Sequence, residues 1–318
     1  MIMMVEWYYS KLWHGTTMRW KFWRRFSRAY RNLYGYNRIK IEKGDYKEED
    51  LINLWDSDPL NIDIYVNMDD KYMYRFDPDL ENNFSEYHGI EILSKIDYLH
   101  LSNQKLKKIP DLTLLTNLRI LDIAGVRYIP YEERAQFSNF EAIPQIDRLE
   151  ELYIQNNNFT SLKGIEKYKN LRFLNIGGNQ ITSLDGIEAL NKLEVLLCYQ
   201  NNIQDLTPIL NLPKLKFIIA LENQIHQFHF IQKPLKLVEL DLGGDYLENI
   251  DEISKITTLR YLYLYRNRIK DISKVIKLKN LILLNVFRNE ITELPELSFR
   301  KKLKFFDYEQ NPILYPNQ

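Results

Sequence analysis

The sequence has few of the features that disulfide-linked, membrane-spanning or strongly charged proteins carry. Among 318 residues there is one cysteine, Cys198, which excludes an intramolecular disulfide and is typical of a reducing compartment. No apolar run approaches the roughly 18 residues of a membrane-spanning helix. Lysine plus arginine equals aspartate plus glutamate, at 43 each, so net charge favours no class of partner. Residues 1–9 are apolar, but charge rather than a cleavage-site pattern follows them, so we expect a cytoplasmic protein.

Candidate catalytic and metal-binding residues are also scarce. Of five histidines, only His226 and His229 lie close in sequence, and no acidic or cysteine partner is in phase with them. No glycine-rich phosphate-binding loop is present. We therefore expect no enzyme activity, no cofactor and no metal site.

One motif, in contrast, recurs with a fixed period of 22 residues. Counting from its opening leucine as position 0, apolar residues follow at positions 3, 5 and 10, and a polar residue at position 8. That polar residue is asparagine in seven copies and Asp245 in one. The pattern L-x-x-L-x-L-x-x-N-x-I is the leucine-rich-repeat signature. The opening leucines are Leu149, Leu171, Leu193, Leu215, Leu237, Leu259, Leu281 and Leu303.

Each part of the motif predicts a structural role. The alternation around positions 3 and 5 predicts a short strand with inward leucines, and Cys198 at such a position is expected in the core. The asparagine can satisfy backbone groups where the chain turns out of the strand. We therefore predict an α/β solenoid: a curved horseshoe with a parallel sheet on its concave face and short helical or 3-10 turns on its convex face.

The repeat length and motif resemble the repeats of bacterial internalins and of the regulatory subunit of protein phosphatase 1. The resemblance covers roughly the last 220 residues. Both families are binding scaffolds, so it implies a scaffold function without catalysis.

The N-terminal region divides by charge. Residues 1–40 hold nine Lys or Arg against one Glu, whereas residues 41–95 hold five against fifteen Asp or Glu. Within the basic part, residues 17–34 predict an amphipathic helix with aromatic residues such as Trp20 and Trp23 on one face. This helix is compatible with a peripheral membrane or nucleic-acid contact, with organelle targeting, or with docking onto the protein itself.

Residues 41–95 are interpreted as an N-terminal cap with a degenerate half-repeat. Ile62–Val66 alternates and is expected as an edge strand. A degenerate copy opening at Tyr74 places Asp77 and Asp79 at strand positions, where they cannot be buried unpaired. The many carboxylates lack the spacing of a calcium loop, so a solvated cap surface is expected.

The repeat array is predicted to span 96–318. Its second copy opens at Leu118 but the third at Leu149, so nine extra residues lie within 127–146, where residues 131–140 favour a short helix. This insertion is either a functional loop or a neutral bulge. At the C-terminal end Phe305, Phe306 and Tyr308 are expected to close the core.

The outward strand positions 2, 4 and 6 are the candidate binding site. We expect them to expose a contiguous apolar area that binds a partner protein, with the N-terminal region or a second copy of the chain as alternative covers. Asp241 should lie between Ile219 and Tyr263 and meet a lysine or arginine of the partner, while Gly243 leaves a gap beside Tyr265. The candidate residues are Tyr153, Phe173, Leu197, Tyr199, Phe217, Ile219, Leu221, Glu239, Asp241, Tyr261, Tyr263, Tyr265 and Phe287.

Overall fold

The computed structural model describes residues 37–40, 62–66, 72–76, 96–101, 109, 112, 115–125, 137–226, 235–296 and 302–314. Within them, thirteen strands form one open, curved sheet whose strand order is the chain order. The strands are β1 Asn37–Lys40, β2 Ile62–Val66, β3 Tyr72–Phe76, β4 Ile96–Leu101, β5 Ile120–Asp122, β6 Glu151–Tyr153, β7 Phe173–Asn175, β8 Val195–Leu197, β9 Phe217–Ile219, β10 Glu239–Asp241, β11 Tyr261–Tyr263, β12 Leu283–Asn285 and β13 Phe305–Asp307.

The sheet is parallel throughout the repeats, and short 3-10 helices return the chain on the convex side. Strands β3 to β13 pair in parallel, whereas β1 and β2, and β2 and β3, pair antiparallel. This architecture confirms the predicted horseshoe. The described 3-10 helices are Phe140–Ala142, Ile165–Lys167, Ile187–Ala189, Thr207–Asn211, Ile253–Lys255 and Ser273–Lys277.

The core fills the space between the sheet and the convex turns. Positions 3 and 5 bury Leu174 and Ile176 from the sheet side, and the convex turn of the same repeat buries Leu184, Ile187 and Leu190. Because no single repeat encloses these side chains, each repeat completes the core of its neighbour. Cys198, at position 5 of its repeat, is fully buried in this core, as predicted.

The asparagines at position 8 form a ladder that links successive repeats. In Asn201, Nδ2 donates to the carbonyls of Ile176 and Cys198 at 2.9 and 3.1 Å, and Oδ1 accepts the N–H of Ile181 at 2.9 Å. One side chain thus satisfies three backbone groups, two of which belong to the preceding repeat. The same three contacts are made by Asn179, Asn223, Asn267, Asn289 and Asn311.

Asp245 departs from this ladder because a carboxylate cannot donate as an amide does. Its Oδ1 accepts the N–H groups of Asn223 and Ile225, both at 3.1 Å. Its buried Oδ2 takes the place of the amide nitrogen and has no hydrogen-bond partner among the described residues. By analogy with the asparagines, Oδ2 faces the carbonyls of Ala220 and Leu242, so only a protonated acid can donate there. Burial accordingly raises the pKa of Asp245 from 3.8 to about 8, opposed by its two N–H donors.

The residue before each ladder residue, at position 7, has a left-handed backbone conformation. At position 7 the chain leaves the strand with positive φ in eight successive repeats, and glycine occupies this position only twice. The N–H at position 7 still donates to the next strand, as Gln200 does to Leu221 at 2.9 Å. The positive-φ residues are Asn156, Gly178, Gln200, Glu222, Gly244, Arg266, Arg288 and Gln310.

The insertion separates β5 from β6 in the sequence. Equivalent positions of β5 and β6 are 31 residues apart instead of 22, yet the two strands pair directly, with Leu121 opposite Leu152. Phe137, Phe140, Ile143 and Ile146 then occupy the buried convex positions of the second repeat. The nine extra residues therefore fall within 126–136, directly after the strand. The helix predicted over 131–140 lies outside the described residues except at its end.

Two polar side chains of the third repeat bind the convex turn that follows the insertion. The hydroxyl of Tyr168 donates to the carbonyls of Ile143 and Pro144, both at 3.0 Å. The Nζ of Lys167 donates to the carbonyls of Phe140 and Ile143 at 2.9 and 2.5 Å. These contacts give the carbonyls hydrogen-bond donors from the following repeat. They also attach the repeat that contains the insertion to the regular array.

The N-terminal strands correct two expectations. Ile62–Val66 is a strand, but β1 and β3 pair with it on either side, so it is not an edge strand. Tyr74, not Asp77, lies opposite Leu99 in the sheet, so the interval is 25 residues and the register predicted for the half-repeat is wrong. The physical reason is that aspartates cannot fill an inward position, so β3 ends before them. The predicted domain boundaries remain predictions.

The C-terminal strand fulfils part of its expected role. Phe306 and Tyr308 pack against the core with ring centroids 5.0 Å apart, whereas the Phe305 side chain is 42% exposed. Phe305 stands at position 2, which points away from the core.

Replacing Leu174 or Leu262 with alanine should lower the free energy of unfolding by about 2–5 kcal/mol, because each is fully buried at position 3 of a central repeat. Urea denaturation followed by circular dichroism measures the loss. The exposed Lys169→Ala is the matched surface control. Equal stability of all three variants would contradict the assigned register.

Replacing Asp245 with asparagine should stabilise the protein at pH 7 by a few kcal/mol. The folded-state pKa of about 8 exceeds the ordinary value of 3.8, so the folded state binds the proton more tightly than the unfolded state. Stability from this group is therefore greatest below about pH 4 and falls by up to roughly 1.4 kcal/mol per pH unit until about pH 8. Asp245→Asn should remove this decline, as measured by urea denaturation at several pH values.

The reciprocal variant Asn201→Asp provides the control. It places the same carboxyl group in another rung of the ladder and should introduce a second decline over the same pH range. A wild-type protein more stable than Asp245→Asn at pH 7 would contradict the protonated form of Asp245.

Candidate functional site

The sheet brings all thirteen candidate residues together on the concave face. They occupy positions 2, 4 and 6 of adjacent strands, and the registers align them in rows across β6 to β12. Asp241 lies opposite Ile219 on one side and Tyr263 on the other, as predicted. The face is therefore a continuous surface on a rigid sheet rather than a set of loops.

Two apolar clusters occupy this face, one on either side of β10. The first cluster is centred on Tyr153, Phe173, Val195 and Leu197, with the rings of Tyr153 and Phe173 4.8 Å apart. The second consists of Tyr261, Tyr263 and Leu283, with Tyr265 packed against them. Between the clusters, β10 places Glu239 and Asp241 in the same rows.

The expected exposure of these residues is wrong for much of the face. Tyr263 is only 2% exposed, Glu239 5% and Asp241 0%. The half-buried members lie mainly at position 6 and on β9. They are Tyr199, Phe217, Ile219, Leu221, Tyr265 and Phe287. Neighbouring strands are about 4.8 Å apart, so large side chains in one row cover each other's flanks.

Two tyrosine rings lie over glycines of the preceding strand. A Cβ added to Gly243 would meet the ring of Tyr265 at 2.2 Å, and one added to Gly177 would meet the ring of Tyr199 at 2.4 Å. The predicted gap beside Gly243 is therefore filled by Tyr265. The absence of a side chain at position 6 allows the next tyrosine to lie flat on the sheet, and this sets the contour of the face at both places.

Glu239 and Asp241 of β10 form an acidic stripe on the face, and Asp241 also has an internal structural role. The Oδ1 of Asp241 accepts the N–H of Gly243 at 3.0 Å, which holds the chain at the end of β10. Asn175 and Asn285 make the same contact at position 4 of their strands. The charges of Asp241 and Glu222 both act on Asp245 and add to the rise of its pKa. Four carboxyl groups thus gather around β10.

Two polar residues on the face were not among the predicted site residues. Asn175 is fully buried on β7, and its Nδ2 has no hydrogen-bond partner among the described residues. Gln155, next to Gly177 across the β6–β7 pair, has a buried Oε1 that likewise lacks a partner in the described part. The signal in the sequence is an amide at an outward position between apolar strands. Together they offer one donor and one acceptor.

A row of ion pairs borders the face at position 1. Arg119 binds Glu150 through two contacts of 3.1 and 2.7 Å, and Arg172 binds Glu194 at 2.9 and 2.6 Å. Lys216 lies 3.6 Å from Glu194 and extends the alternation of charge to β9. The hydrogen bond to Glu194 raises the pKa of Arg172 above its ordinary value. Since the row is partly exposed, it aligns neighbouring strands more than it stabilises them.

The remaining candidates show no catalytic arrangement in the described residues. Burial raises the pKa of the Cys198 thiol, so the thiolate nucleophile is disfavoured. His226 stacks on Tyr246 at 5.1 Å, while His229 and the predicted helix 17–34 lie outside the described residues. No described group of three or more His, Cys, Asp or Glu is arranged to hold a metal ion. Of the helices that are described, none has the length and apolar character to cross a membrane.

Comparison with known proteins agrees with this geometry. A family profile described as Leucine Rich repeats (2 copies) matches residues 147–189. No curated protein sequence matches the chain.

Solved structures share the same architecture. An internalin from Listeria monocytogenes is 21% identical, with a TM-score of 0.59 over 78% of this chain and 77% of its own. A leucine-rich-repeat protein of Leptospira interrogans is 26% identical, with a TM-score of 0.61 over 72% of this chain and 58% of its own. The ectodomain of an Arabidopsis thaliana receptor kinase, solved in complex with CASPARIAN STRIP INTEGRITY FACTOR 2, is 21% identical. Its TM-score is 0.50 over 69% of this chain and 27% of its own.

These likenesses concern the fold, and the repeat motif of this chain supports the same assignment independently. The 22-residue period, the parallel sheet and the buried asparagine ladder occur together here with the matched family profile. The chain therefore has the leucine-rich-repeat fold.

Proposed function

We propose that this protein is a non-enzymatic scaffold whose concave face binds a partner protein. The observation that carries the proposal is the aromatic and acidic surface formed by β6 to β12. A solenoid needs only its inward positions for folding, so this composition at outward positions supports a binding role.

The surface suits a polypeptide ligand. Large aromatic groups supply contact area with little loss of side-chain freedom, and they lie on a sheet that is already ordered. The half-buried residues of β9, Phe217 and Ile219, lie between the first apolar cluster and the acidic stripe. The internalin and plant-receptor likenesses add support at the level of fold, since the receptor was solved with a bound factor.

The acidic stripe defines the chemistry of the partner. Glu239 and Asp241 bring two carboxyl groups into a largely apolar part of the face. A lysine or arginine on an otherwise apolar partner surface is complementary to this arrangement. Such a pair contributes specificity more than affinity.

Phe217→Ala should weaken partner binding by about 2 kcal/mol, as expected for an aromatic hot spot near the centre of the face. The partner is first captured with the intact wild-type protein and identified by mass spectrometry. Its affinity for each variant is then measured by calorimetric titration. Asp241→Asn should keep the cap on Gly243 but reduce the salt dependence of binding.

Ile276→Ala is the matched control, because Ile276 is 44% exposed on the convex side. It should leave the affinity unchanged. A partner whose affinity falls with Ile276→Ala, but not with Phe217→Ala or Asp241→Asn, would place the binding site elsewhere.

Gly243→Ala should displace the ring of Tyr265 and lower both stability and partner affinity, because the new Cβ occupies the place of the ring. In a Tyr265→Ala background the same substitution should have little effect. Thermal melts and the same titration of the four proteins measure the coupling between the two residues. Additive effects would show that the ring does not lie on Gly243 in solution.

A further inference from the structure

The central concave side chains are buried more deeply than the sheet alone requires. Tyr263, Glu239 and Asp241 point away from the core, yet they are nearly as buried as the core leucines. Flanking strands cover the sides of such side chains and leave their tips facing the opening of the horseshoe. Carboxyl groups at such a place give the opening an acidic surface that is complementary to positive charge.

We propose that the basic, aromatic segment 17–34 of the same chain binds in the concave face as an intramolecular ligand. In extended conformation, Arg19 and Lys21 of this segment lie against the acidic stripe of β10, and Trp20 and Trp23 pack on the aromatic clusters on either side. The inference rests on the proposed function, namely that this face binds polypeptide, and it adds a first occupant that any partner must displace.

The charges of the two surfaces are complementary. Positions 2, 4 and 6 of β5 to β13 carry six carboxylates and no lysine or arginine. Segment 17–34 carries six basic residues and no acidic residue. The carboxylates are Asp122, Glu151, Glu239, Asp241, Asp307 and Glu309. The basic residues are Arg19, Lys21, Arg24, Arg25, Arg28 and Arg31.

A second observation also indicates a polypeptide ligand. The Nδ2 of Asn175 and the Oε1 of Gln155 are buried on neighbouring strands without hydrogen-bond partners among the described residues. An unsatisfied buried donor or acceptor costs about 1–3 kcal/mol, so such a pair is expected to meet polar groups of a ligand. A donor and an acceptor on the same face can bind the C=O and N–H groups of a polypeptide.

The segment has sufficient length to reach the stripe. Eighteen residues separate Arg19 from Asn37, and in extended conformation they span up to about 61 Å, whereas as continuous helix they would span only about 27 Å. Nine strand spacings separate β1 from β10, or about 43 Å along the sheet. Covalent attachment also gives the segment an effective concentration on the order of millimolar, which favours it over a second copy of the chain at ordinary protein concentrations.

Tryptophan fluorescence of the full chain tests the proposal. All five tryptophans precede β2, at Trp7, Trp13, Trp20, Trp23 and Trp55. Replacing Trp7, Trp13 and Trp55 with phenylalanine leaves Trp20 and Trp23 as reporters within the segment. We expect blue-shifted emission and weak acrylamide quenching at 0.1 M salt, unchanged on dilution. We also expect a red shift and several-fold stronger quenching at about 1 M salt, where the Debye length falls to about 3 Å.

Charge removal from the face is the decisive variant. Glu239→Gln combined with Asp241→Asn should release the segment and strengthen quenching, while circular dichroism shows the array still folded. Glu166→Gln combined with Glu248→Gln removes two exposed carboxylates from convex turns and should leave quenching unchanged. Stronger quenching in the concave variant, with unchanged quenching in the convex variant, supports the proposal.

Four outcomes would overturn it. The first is acrylamide quenching in the folded wild type as strong as in urea, and the second is quenching that the concave variant does not change. The third is protection of the tryptophans from acrylamide that depends on protein concentration, which indicates a second copy. The fourth is protection that develops only when anionic phospholipid vesicles are added. Exposed tryptophans with partner capture still lost in Phe217→Ala would refute this inference alone. Protected tryptophans with no partner captured would refute the proposed function alone.

Discussion

The structure depends on one constraint: backbone groups freed at the turn after each strand must be satisfied from the neighbouring repeat. The asparagine ladder meets this constraint, since each asparagine binds one carbonyl and one N–H of the preceding repeat and one carbonyl of its own repeat. No repeat is complete alone, so order is transmitted along the array. The left-handed residue before each asparagine directs the chain into this geometry, although most of these positions hold larger residues than glycine.

The same stacking that satisfies the backbone crowds the concave face. Strands held about 4.8 Å apart leave too little room for a large side chain at every outward position. Glycine at Gly177 and Gly243 relieves the crowding, and the tyrosine of the next strand occupies the vacant place. The face is consequently smooth and preorganised, which lowers the entropy cost of binding an extended ligand. Fold and candidate site are therefore consequences of one strand spacing.

The sequence determines the periodic features well and the side-chain contacts of the face poorly. The core positions, the parallel sheet and the neighbours of Asp241 follow from the period, because a fixed repeat leaves one consistent register. The burial of Tyr263 and the ring of Tyr265 over Gly243 depend on rotamers and on what covers the face, which the period does not encode. The sequence predicted the insertion only within 127–146, and both its narrower location and the register of β3 required the structure.

Strand β10 and Asp245 belong to the repeat that departs most from the repeat pattern. This repeat has carboxyl groups at positions 2, 4 and 8 together, as Glu239, Asp241 and Asp245, whereas no other repeat has more than one at these positions, and Glu222 lies beside them. The raised pKa of Asp245 shows that the cluster is held against a free-energy cost, because a buried acid must keep its proton where asparagine needs none. Local violations of a folding pattern that cost stability are typical of functional sites. The fold explains Asp241 in part, through its contact with Gly243, and the proposed binding of positive charge would explain why the carboxyl groups of this repeat occur together.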